Sequence, residues 1–284
     1  MSISEHLPWL FDTFRAGMLG VAMVVPAATL YGAAEARTLR VTNDAITSSC
    51  LPQEFDGTRI VFVADIHAGP YFGSNRMDRL VKQVNALDPD VLILGGDYVG
   101  GRTGGVRTFY ARAADFQARL AKVAVLGNHD VWEGPADARS GLIEAGFELL
   151  EDDSVRISIG DALIAVAGVS DLYTGDPDPE AAARDIPPGT FSVLVSHNPD
   201  VFAESLGKTA GEWDLALAGH THAGQITFFG TPAFIPSDHG DRYRSGWRDE
   251  NGTPILVTNG VGTVTLPVRL FAKPEIHVIT LRSG

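Results

Sequence analysis

The residues best suited to chemistry are two histidines one position apart, in the stretch Gly219-His220-Thr221-His222-Ala223-Gly224. They follow an apolar run, residues 214–218, that predicts a buried strand. Because residues i and i+2 of an extended backbone point to the same side, both imidazoles can face one pocket. Imidazole binds zinc, iron, manganese and similar ions, so a metal site is the first hypothesis. Two unrelated surface side chains are the alternative.

Similar polar groups recur where other predicted strands end. Together with the histidine pair, the candidate ligands are Asp65, His67, Asp97, Asn128, His129, His197, His220 and His222. Taken singly, each group is explained as well by a turn or a helix start, for example with Asp130 as a helix cap. Five strand ends that all deliver oxygen or nitrogen ligands are better explained by one shared metal centre, because open α/β sheets place ligands there.

The elements that must position these residues alternate between strands and helices. Apolar runs predict strands at residues 59–64, 90–95, 123–126, 191–195 and 215–218. Helical spacing predicts helices at residues 76–87, 106–120 and 136–145. The chain after residue 226 is rich in strand patterns. Early βαβ units followed by a strand-rich end predict two packed, mixed sheets with helices outside.

Five segments together resemble the calcineurin-like metallophosphoesterases. They are Asp65-Ile66-His67, Gly96-Asp97, Gly127-Asn128-His129-Asp130, Ser196-His197 and Gly219-His220-Thr221-His222. The resemblance covers the chain from about Arg59 to the C terminus, with the five motifs in the family's order. It implies an α/β fold, a four-layer α/β/β/α sandwich of two mixed sheets.

The resemblance also implies two divalent metal ions. By motif, the ligands divide into Asp65, His67 and His222 at the first metal, Asn128, His197 and His220 at the second, and Asp97 bridging both. A carboxylate has two oxygens and can span two ions about 3.5–4 Å apart, whereas an imidazole cannot. Nitrogen and oxygen ligands without thiolate fit manganese, iron or zinc, and the sequence does not choose among them.

A different role is implied for His129, which in the family is not a ligand but faces the substrate. It would hydrogen-bond a phosphate oxygen or protonate the leaving group, with Asp130 orienting its ring. A water or hydroxide bridging the metals would be the nucleophile. The expected reaction is hydrolysis of a phosphodiester or pyrophosphate bond. A phosphomonoesterase and a non-catalytic metal-binding scaffold are the alternatives, and the intact ligand set favours an enzyme.

The C-terminal tail is similar to a branch of bacterial membrane-associated phosphodiesterases within that family. The similar segments are Gly260-Val261-Gly262-Thr263, Leu266-Pro267-Val268-Arg269-Leu270 and Pro274-Glu275-Ile276. The branch includes enzymes similar to UDP-2,3-diacylglucosamine pyrophosphatase, which implies a lipid-linked or envelope-precursor substrate. This chain lacks the twin-arginine pair that precedes the apolar run in exported members.

The N-terminal region contains a run without charged side chains, residues 16–34. Its length approaches the ~20 residues that a membrane-spanning helix needs. Three interpretations stay open: a membrane anchor, a signal peptide cleaved near Ala34-Glu35-Ala36, or a helix lying on the folded domain. We predict an N-terminal segment over residues 1–37, membrane association through residues 16–34, and a catalytic domain over residues 38–284. A cytoplasmic or exported protein is the alternative.

The composition of the chain limits the kinds of partner that it is expected to bind. The chain of 284 residues can bury a sizeable core, and its formal net charge of -13 argues against nonspecific binding to nucleic acid. Cys50 is the single cysteine, which excludes a cysteine-based zinc site. The expected partner, as the family resemblance implies, is a phosphate-ester substrate. Arg242 or Arg244 is a further candidate for holding a phosphate, and Asp171 for lining the pocket, although a solvated loop explains the arginines equally well.

Overall fold

The first of two six-stranded sheets contains the earliest predicted strands. In the computed structural model, which describes residues 22, 24–101, 105–206, 213–228 and 230–284, its strands are β1 (Arg40–Ser48), β2 (Arg59–Val63), β3 (Val91–Leu94), β4 (Ala121–Ala124), β5 (Glu148–Leu149) and β14 (Glu275–Ser283). Their order is β1-β14-β2-β3-β4-β5. Only the β14–β2 pair is antiparallel, so the sheet is mixed.

The second sheet is also mixed. Its strands are β6 (Asp153–Ile159), β7 (Ala162–Gly168), β8 (Ser192–Ser196), β9 (Leu215–Ala218), β12 (Gly246–Glu250) and β13 (Thr253–Val257). Their order is β12-β13-β9-β8-β7-β6, with antiparallel pairs at the two edges and parallel pairs in the centre. A separate hairpin of β10 (Thr227–Phe228) and β11 (Thr231–Pro232) follows the histidine pair.

Helices connect the strands and cover both outer faces. They are α1 (residues 24–35), α2 (Ser74–Ala86), α3 (Gly105–Ala113), α4 (Asn128–Glu133), α5 (Pro135–Glu144), α6 (Pro179–Ala183) and α7 (Val201–Ser205). Short 3-10 helices lie at Gln53–Phe55, His222–Gly224 and Gly240–Tyr243.

Alternation along the central strands explains the layering. On β2, Ile60 and Phe62 join the core between the two sheets, while Val61 and Val63 pack against the helices on the outer face. A strand buried on both faces is a continuous apolar run, which is why β2 has the sequence Arg-Ile-Val-Phe-Val. Helices α2, α3 and α5 cover the first sheet and helices α6 and α7 the second. The predicted four-layer α/β/β/α arrangement of two mixed sheets is confirmed.

One helix is shorter than its pattern predicts. The prediction of a helix over residues 106–120 is wrong at its C-terminal end, because α3 ends at Ala113. The side chain of Asn85 bonds the following backbone, donating to the Asp115 carbonyl at 2.9 Å and accepting from the Gln117 N–H at 3.0 Å. Phe116 is buried in the core there. These tertiary contacts replace the helical hydrogen bonds that the local spacing favours.

The predicted N-terminal segment lies partly outside the described residues, which omit residues 1–21 and 23. The described remainder of the charge-free run forms α1, whose C-terminal end packs on the catalytic domain. The Gly32 carbonyl accepts from the Arg269 N–H at 3.0 Å, and the buried Glu35 carboxylate accepts from the Ala272 N–H at 2.8 Å. Among the helices of the described ranges, none is both long and apolar enough to cross a membrane.

Candidate metal centre

The topology brings the predicted ligands to one edge of the two sheets. Strands β2, β3 and β4 are parallel neighbours in the first sheet, and β8 and β9 are parallel neighbours in the second. Their carboxyl ends therefore lie together. These ends carry seven residues, here called the ligand cluster: Asp65, His67, Asp97, Asn128, His197, His220 and His222, all of them buried.

The first group of candidate ligands comprises Asp65, His67 and His222. Their ligand atoms lie within 4.8 Å of one another. The two Nε2 atoms of His67 and His222 are 3.0 Å apart, and His222 Nε2 is 3.4 Å from Asp65 Oδ1. Two nitrogens and a carboxylate oxygen thus converge on one point, as the ligands of a divalent ion do.

The second group comprises Asp97, His197 and His220, again within 4.8 Å of one another. His197 Nε2 lies 3.3 Å from Asp97 Oδ2 and 3.2 Å from His220 Nδ1. The same Asp97 oxygen is only 3.5 Å from His67 Nε2 of the first group. One carboxylate oxygen therefore lies between the two groups.

Asn128 provides an independent observation that a cation fits here. Its Oδ1 atom is buried and has no hydrogen-bond partner among the described residues. Leaving a buried acceptor unpaired is unfavourable by roughly 1–3 kcal/mol. An amide oxygen is a good ligand for a hard divalent cation, so a bound ion would remove this penalty. The donor set of amide, carboxylate and imidazole groups fits manganese, iron or zinc.

The backbone of the ligand cluster is unusual. Asp65, His67, Asp97, His220 and His222 have φ values of 56°, 48°, 57°, 72° and 51°. Positive φ is uncommon for residues with a Cβ atom and is frequent at functional sites, where surrounding structure holds the strain. Such strain at five ligands is expected of a site that must aim side chains at one point.

Two glycines leave the space that the ligand carboxylates occupy. A Cβ atom at Gly219 would lie 2.4 Å from Asp65 Oδ2, and one at Gly127 would lie 2.3 Å from Asp97 Oδ1. Both distances are far below van der Waals contact. Glycine is therefore required at both positions, because any side chain there would collide with a ligand carboxylate.

Burial sets the charge of most ligand imidazoles. It lowers the pKa of His67 and of His220 to about 3, and the pKa of His222 well below its ordinary value. These three rings are neutral near pH 7, which is the form that ligates metal ions. Burial also raises the pKa of Asp65 to about 7.

His197 and Asp97 behave as a charged pair instead. Burial opposes the charge of His197, but the neighbouring Asp97 carboxylate raises its pKa to about 10. Burial likewise opposes the charge of Asp97, and the His197 and His67 imidazoles lower its pKa well below the ordinary value. Metal ions and protons compete for the same lone pairs, so a bound divalent cation would displace the proton that this pair shares.

His129 lies at the open side of the cluster and is only partly buried. Its ring meets the His67 ring edge-on with centroids 4.8 Å apart, and it meets the Trp132 ring at 5.2 Å. Its backbone N–H donates to Asp97 Oδ1 at 2.9 Å. The imidazole is therefore close to the ligands and accessible to a substrate.

Asp130 is placed differently from the prediction. Its carboxylate accepts hydrogen bonds from four backbone N–H groups, those of Asp97, Tyr98, Val99 and Gly127, at 2.8, 2.9, 3.3 and 3.0 Å. No contact with the His129 ring occurs among the described contacts of this carboxylate. We therefore correct its predicted role of orienting that ring: Asp130 holds the loop that carries Asp97 against the start of α4.

Arg269 is a residue of the site whose role the sequence did not indicate. Its side chain is fully buried, and it donates to the carbonyl oxygens of Gly262 at 2.7 and 2.9 Å and of Ala272 at 2.9 Å. Its Nη2 atom lies 3.1 Å from His222 Nδ1. The guanidinium thus supports the first ligand group from behind. Burial lowers its pKa to about 10, so it keeps its charge at neutral pH.

The other polar candidates lie away from the ligand cluster or contact it indirectly. Arg242 pairs with Glu250 at 2.8 and 2.9 Å, and Arg244 donates to the Gly230 carbonyl at 2.7 Å. Neither arginine lines the cavity at the cluster. Asp171 is buried and accepts from Thr174 Oγ1 at 2.9 Å.

A cavity of about 450 Å³ opens directly on the ligand cluster. Its polar floor includes Asp97, Asn128, His129, His220 and His222. Its sides are formed by Trp132, Tyr173 and a set here called the apolar wall: Ile226, Ala233, Phe234, Pro236, Val264 and Leu266. A substrate phosphate at the floor would therefore have apolar side chains beside it.

Comparison with known families agrees with the geometry. Residues 58–224 match the family described as Calcineurin-like phosphoesterase. The chain belongs to this family. A Bacillus subtilis relative, "Uncharacterized metallophosphoesterase YkuE", is 32% identical over 100% of this chain and 98% of its own length. The family membership predicted from the five motifs is confirmed, and the chain is a metal-dependent phosphoesterase, a hydrolase.

Two further matches cover less of the matched proteins. A zebrafish (Danio rerio) "Transmembrane protein with metallophosphoesterase domain" is 27% identical over 96% of this chain, which spans 64% of that protein. Among solved structures, a "Putative 5'-Nucleotidase" from Staphylococcus aureus has a TM-score of 0.50 at 12% identity, covering 78% of this chain and 54% of that one. At this identity, the likeness shows the α/β fold with two sheets and nothing more.

Proposed function

We propose that this metallophosphoesterase hydrolyses phosphodiester or pyrophosphate bonds at a dinuclear metal centre. The observation that carries the proposal is the position of Asp97, whose Oδ2 lies 3.5 Å from His67 Nε2 and 3.3 Å from His197 Nε2. A carboxylate between two ligand groups is the arrangement that a bridged metal pair requires.

We assign the ligands to the two ions as the family motifs imply. Asp65, His67 and His222 would hold one divalent ion, Asn128, His197 and His220 the other, and Asp97 would contact both. When bound, the two ions would activate water and neutralise charge on the phosphate. Manganese, iron and zinc all suit these ligands.

His129 is the residue we propose to act on the substrate directly. Its ring lies at the open side of the cluster, where it can donate a hydrogen bond to a phosphate oxygen or a proton to the leaving oxygen. The hydrogen bond from its N–H to Asp97 Oδ1 fixes its backbone relative to the ligands. Asp130 contributes indirectly, because it holds the loop that carries Asp97.

The charge of the cavity favours a phosphodiester over a pyrophosphate or a phosphomonoester. Its described lining residues include no Lys or Arg. A phosphomonoester carries up to two negative charges, and a pyrophosphate carries a second phosphate that basic side chains usually hold. A diester carries a single charge, so the metal ions and His129 suffice for it. Phosphomonoesterase activity remains the second candidate.

A lipid-linked or envelope-precursor substrate and membrane association complete the proposal. The described part of the charge-free run leaves Val24, Val25 and Leu30 exposed on α1, as a helix that contacts a lipid surface would. A substrate similar to UDP-2,3-diacylglucosamine is less favoured than a simple lipid diester, because its second phosphate finds no basic partner in the described cavity lining.

The experiment that tests this function compares three phosphate bonds in one preparation. The full chain is loaded with manganese, its metal content is measured, and hydrolysis of bis(4-nitrophenyl) phosphate, 4-nitrophenyl phosphate and a UDP-linked sugar lipid is followed. We expect the diester to have the highest kcat/KM. Absence of hydrolysis of all three, with two ions bound per chain, would refute the proposed reaction. A higher kcat/KM for the monoester would instead favour the second candidate.

A further inference from the structure

The apolar wall lines the same cavity as the polar floor. Phe234 and Leu266 are 72% and 51% exposed, although both line the cavity. Trp132, which adjoins His129, is 61% exposed. Soluble domains rarely expose several large apolar side chains around one cavity unless something covers them. The cavity volume of about 450 Å³ is within the range of sites that bind small molecules.

The two sides of the apolar wall are joined to each other. The Gln225 side chain accepts from the Val264 N–H at 2.7 Å and donates to the Val264 carbonyl at 2.9 Å and the Leu266 carbonyl at 3.2 Å. The Gln225 carbonyl accepts from the Leu270 N–H at 3.0 Å. These bonds connect the segment after the histidine pair to the loop around Val264. The cavity is therefore built by specific contacts between two segments.

The segment that carries Gln225 follows the metal ligands directly in the sequence. Gln225 lies three residues after His222, and its φ of 52° continues the strained turn that also places Ala223 at 54°. Thr221 Oγ1 donates to the Arg244 carbonyl at 2.6 Å, and Arg244 donates to the Gly230 carbonyl at 2.7 Å. The hairpin that precedes Phe234 is thus fixed relative to the ligands. A group held by the apolar wall has a defined position relative to the phosphate.

We propose that the apolar wall binds a hydrocarbon chain of the substrate, so that the preferred substrate is a phosphodiester with an alkyl or acyl chain next to its phosphate. This inference rests on the proposed function of the site. It adds the surface and the residues that select the hydrocarbon chain of the substrate. Phe234 and Leu266, which come from two different segments of the wall, are its selecting residues. Water leaves the apolar surfaces of both partners when the chain binds, which supplies the selectivity.

The test is a series of 4-nitrophenyl alkyl phosphodiesters with methyl, butyl and octyl chains, used below the concentration at which the octyl ester aggregates. With the full, manganese-loaded chain, we expect kcat/KM to rise at least about tenfold from methyl to octyl, because buried methylenes contribute favourably. Phe234→Ser and Leu266→Ser should each lower the octyl-to-methyl ratio by at least about threefold. The matched control is Phe228→Ser, an exposed residue on the neighbouring hairpin that is outside the lining, which should keep the wild-type ratio.

Equal kcat/KM for all three esters would overturn the inference while leaving the diesterase function intact. No hydrolysis of any of the three esters by the metal-loaded wild type would instead contradict the proposed function. Calorimetry with methylphosphonate and octylphosphonate gives the same comparison without turnover and without any variant. Tighter binding of octylphosphonate supports the inference, and equal binding overturns it.

Discussion

The ligand cluster and the apolar wall face the same cavity but are built in opposite ways. The cluster lies at the ends of five central strands, is buried, and holds five residues at positive φ. The apolar wall lies on segments outside both six-stranded sheets and leaves its largest side chains exposed. The proposed metal ligands thus lie in the buried interior of the fold, and the side chains proposed to select the substrate lie at its surface. Mutations in the ligand cluster should abolish hydrolysis, whereas mutations in the apolar wall should change the preference among substrates without abolishing hydrolysis.

The largest effect is expected for Asp97→Asn. The amide keeps the shape but removes the charge that lies between the two ligand groups, so metal binding and turnover should fall together. We expect kcat/KM to drop by about 10³-fold or more, measured with the diester, and bound metal per chain to decrease. Asp241→Asn, at a side chain that is 78% exposed, is the control. Retention of near wild-type activity by Asp97→Asn would refute a bridging role.

His129→Gln separates chemistry from metal binding. The side chain lies beside the ligands without belonging to either proposed metal triad, so kcat should fall by about 10²–10⁴-fold while the metal content stays unchanged. The exposed His239 provides the matched control His239→Gln, which should leave kcat unaltered. A loss of bound metal in His129→Gln equal to that in Asp97→Asn would show that His129 acts as a ligand.

Arg269→Met tests whether the first ligand group depends on support from behind. The variant removes the donors to the Gly262 and Ala272 carbonyls and the contact with His222. We expect affinity for one of the two ions to weaken by about 10–100-fold, as for other residues that orient a metal ligand. Metal titration by calorimetry measures this. An unchanged affinity at both ions, in a folded variant, would limit Arg269 to a structural role.

The smallest effect is expected at α1, far from the chemistry. Glu35→Ala removes the acceptor for the Ala272 N–H and should lower the free energy of unfolding by about 1–2 kcal/mol. Denaturant unfolding measures the change, with the exposed Glu54→Ala as the control. Identical unfolding of the two variants would show that the Glu35 hydrogen bond does not stabilise the domain.

The ligand cluster was the part most accessible to sequence reasoning, for a physical reason. Metal ligands at strand ends are short local motifs, and residues such as His220 and His222 show their spacing directly. The contact of Arg269 with His222 could not be predicted in the same way. The two residues are 47 positions apart, and no local pattern around the arginine indicates that they meet. Tertiary contacts also explain Asp130, whose carboxylate bonds backbone groups instead of the adjacent ring.

The apolar wall shows the same limit. Its residues come from two segments, around Phe234 and Leu266, which are joined by hydrogen bonds from the Gln225 side chain and by backbone bonds to Leu270. No local pattern reports this junction. The end of α3 was also set by a distant side chain, Asn85. The fold class could be predicted because each central strand is buried on both faces. Such a strand is a continuous apolar run, which is visible in the sequence itself.

The central claim is that Asp97 joins two metal ions in one centre. Electron paramagnetic resonance of the manganese-loaded full chain tests it most directly, because two bridged Mn²⁺ ions are magnetically coupled and isolated ions are not. We predict two manganese ions per chain with the spectrum of a coupled pair, and loss of that coupling in Asp97→Asn. A spectrum of isolated manganese ions in the wild type, at two manganese ions per chain, would contradict the account.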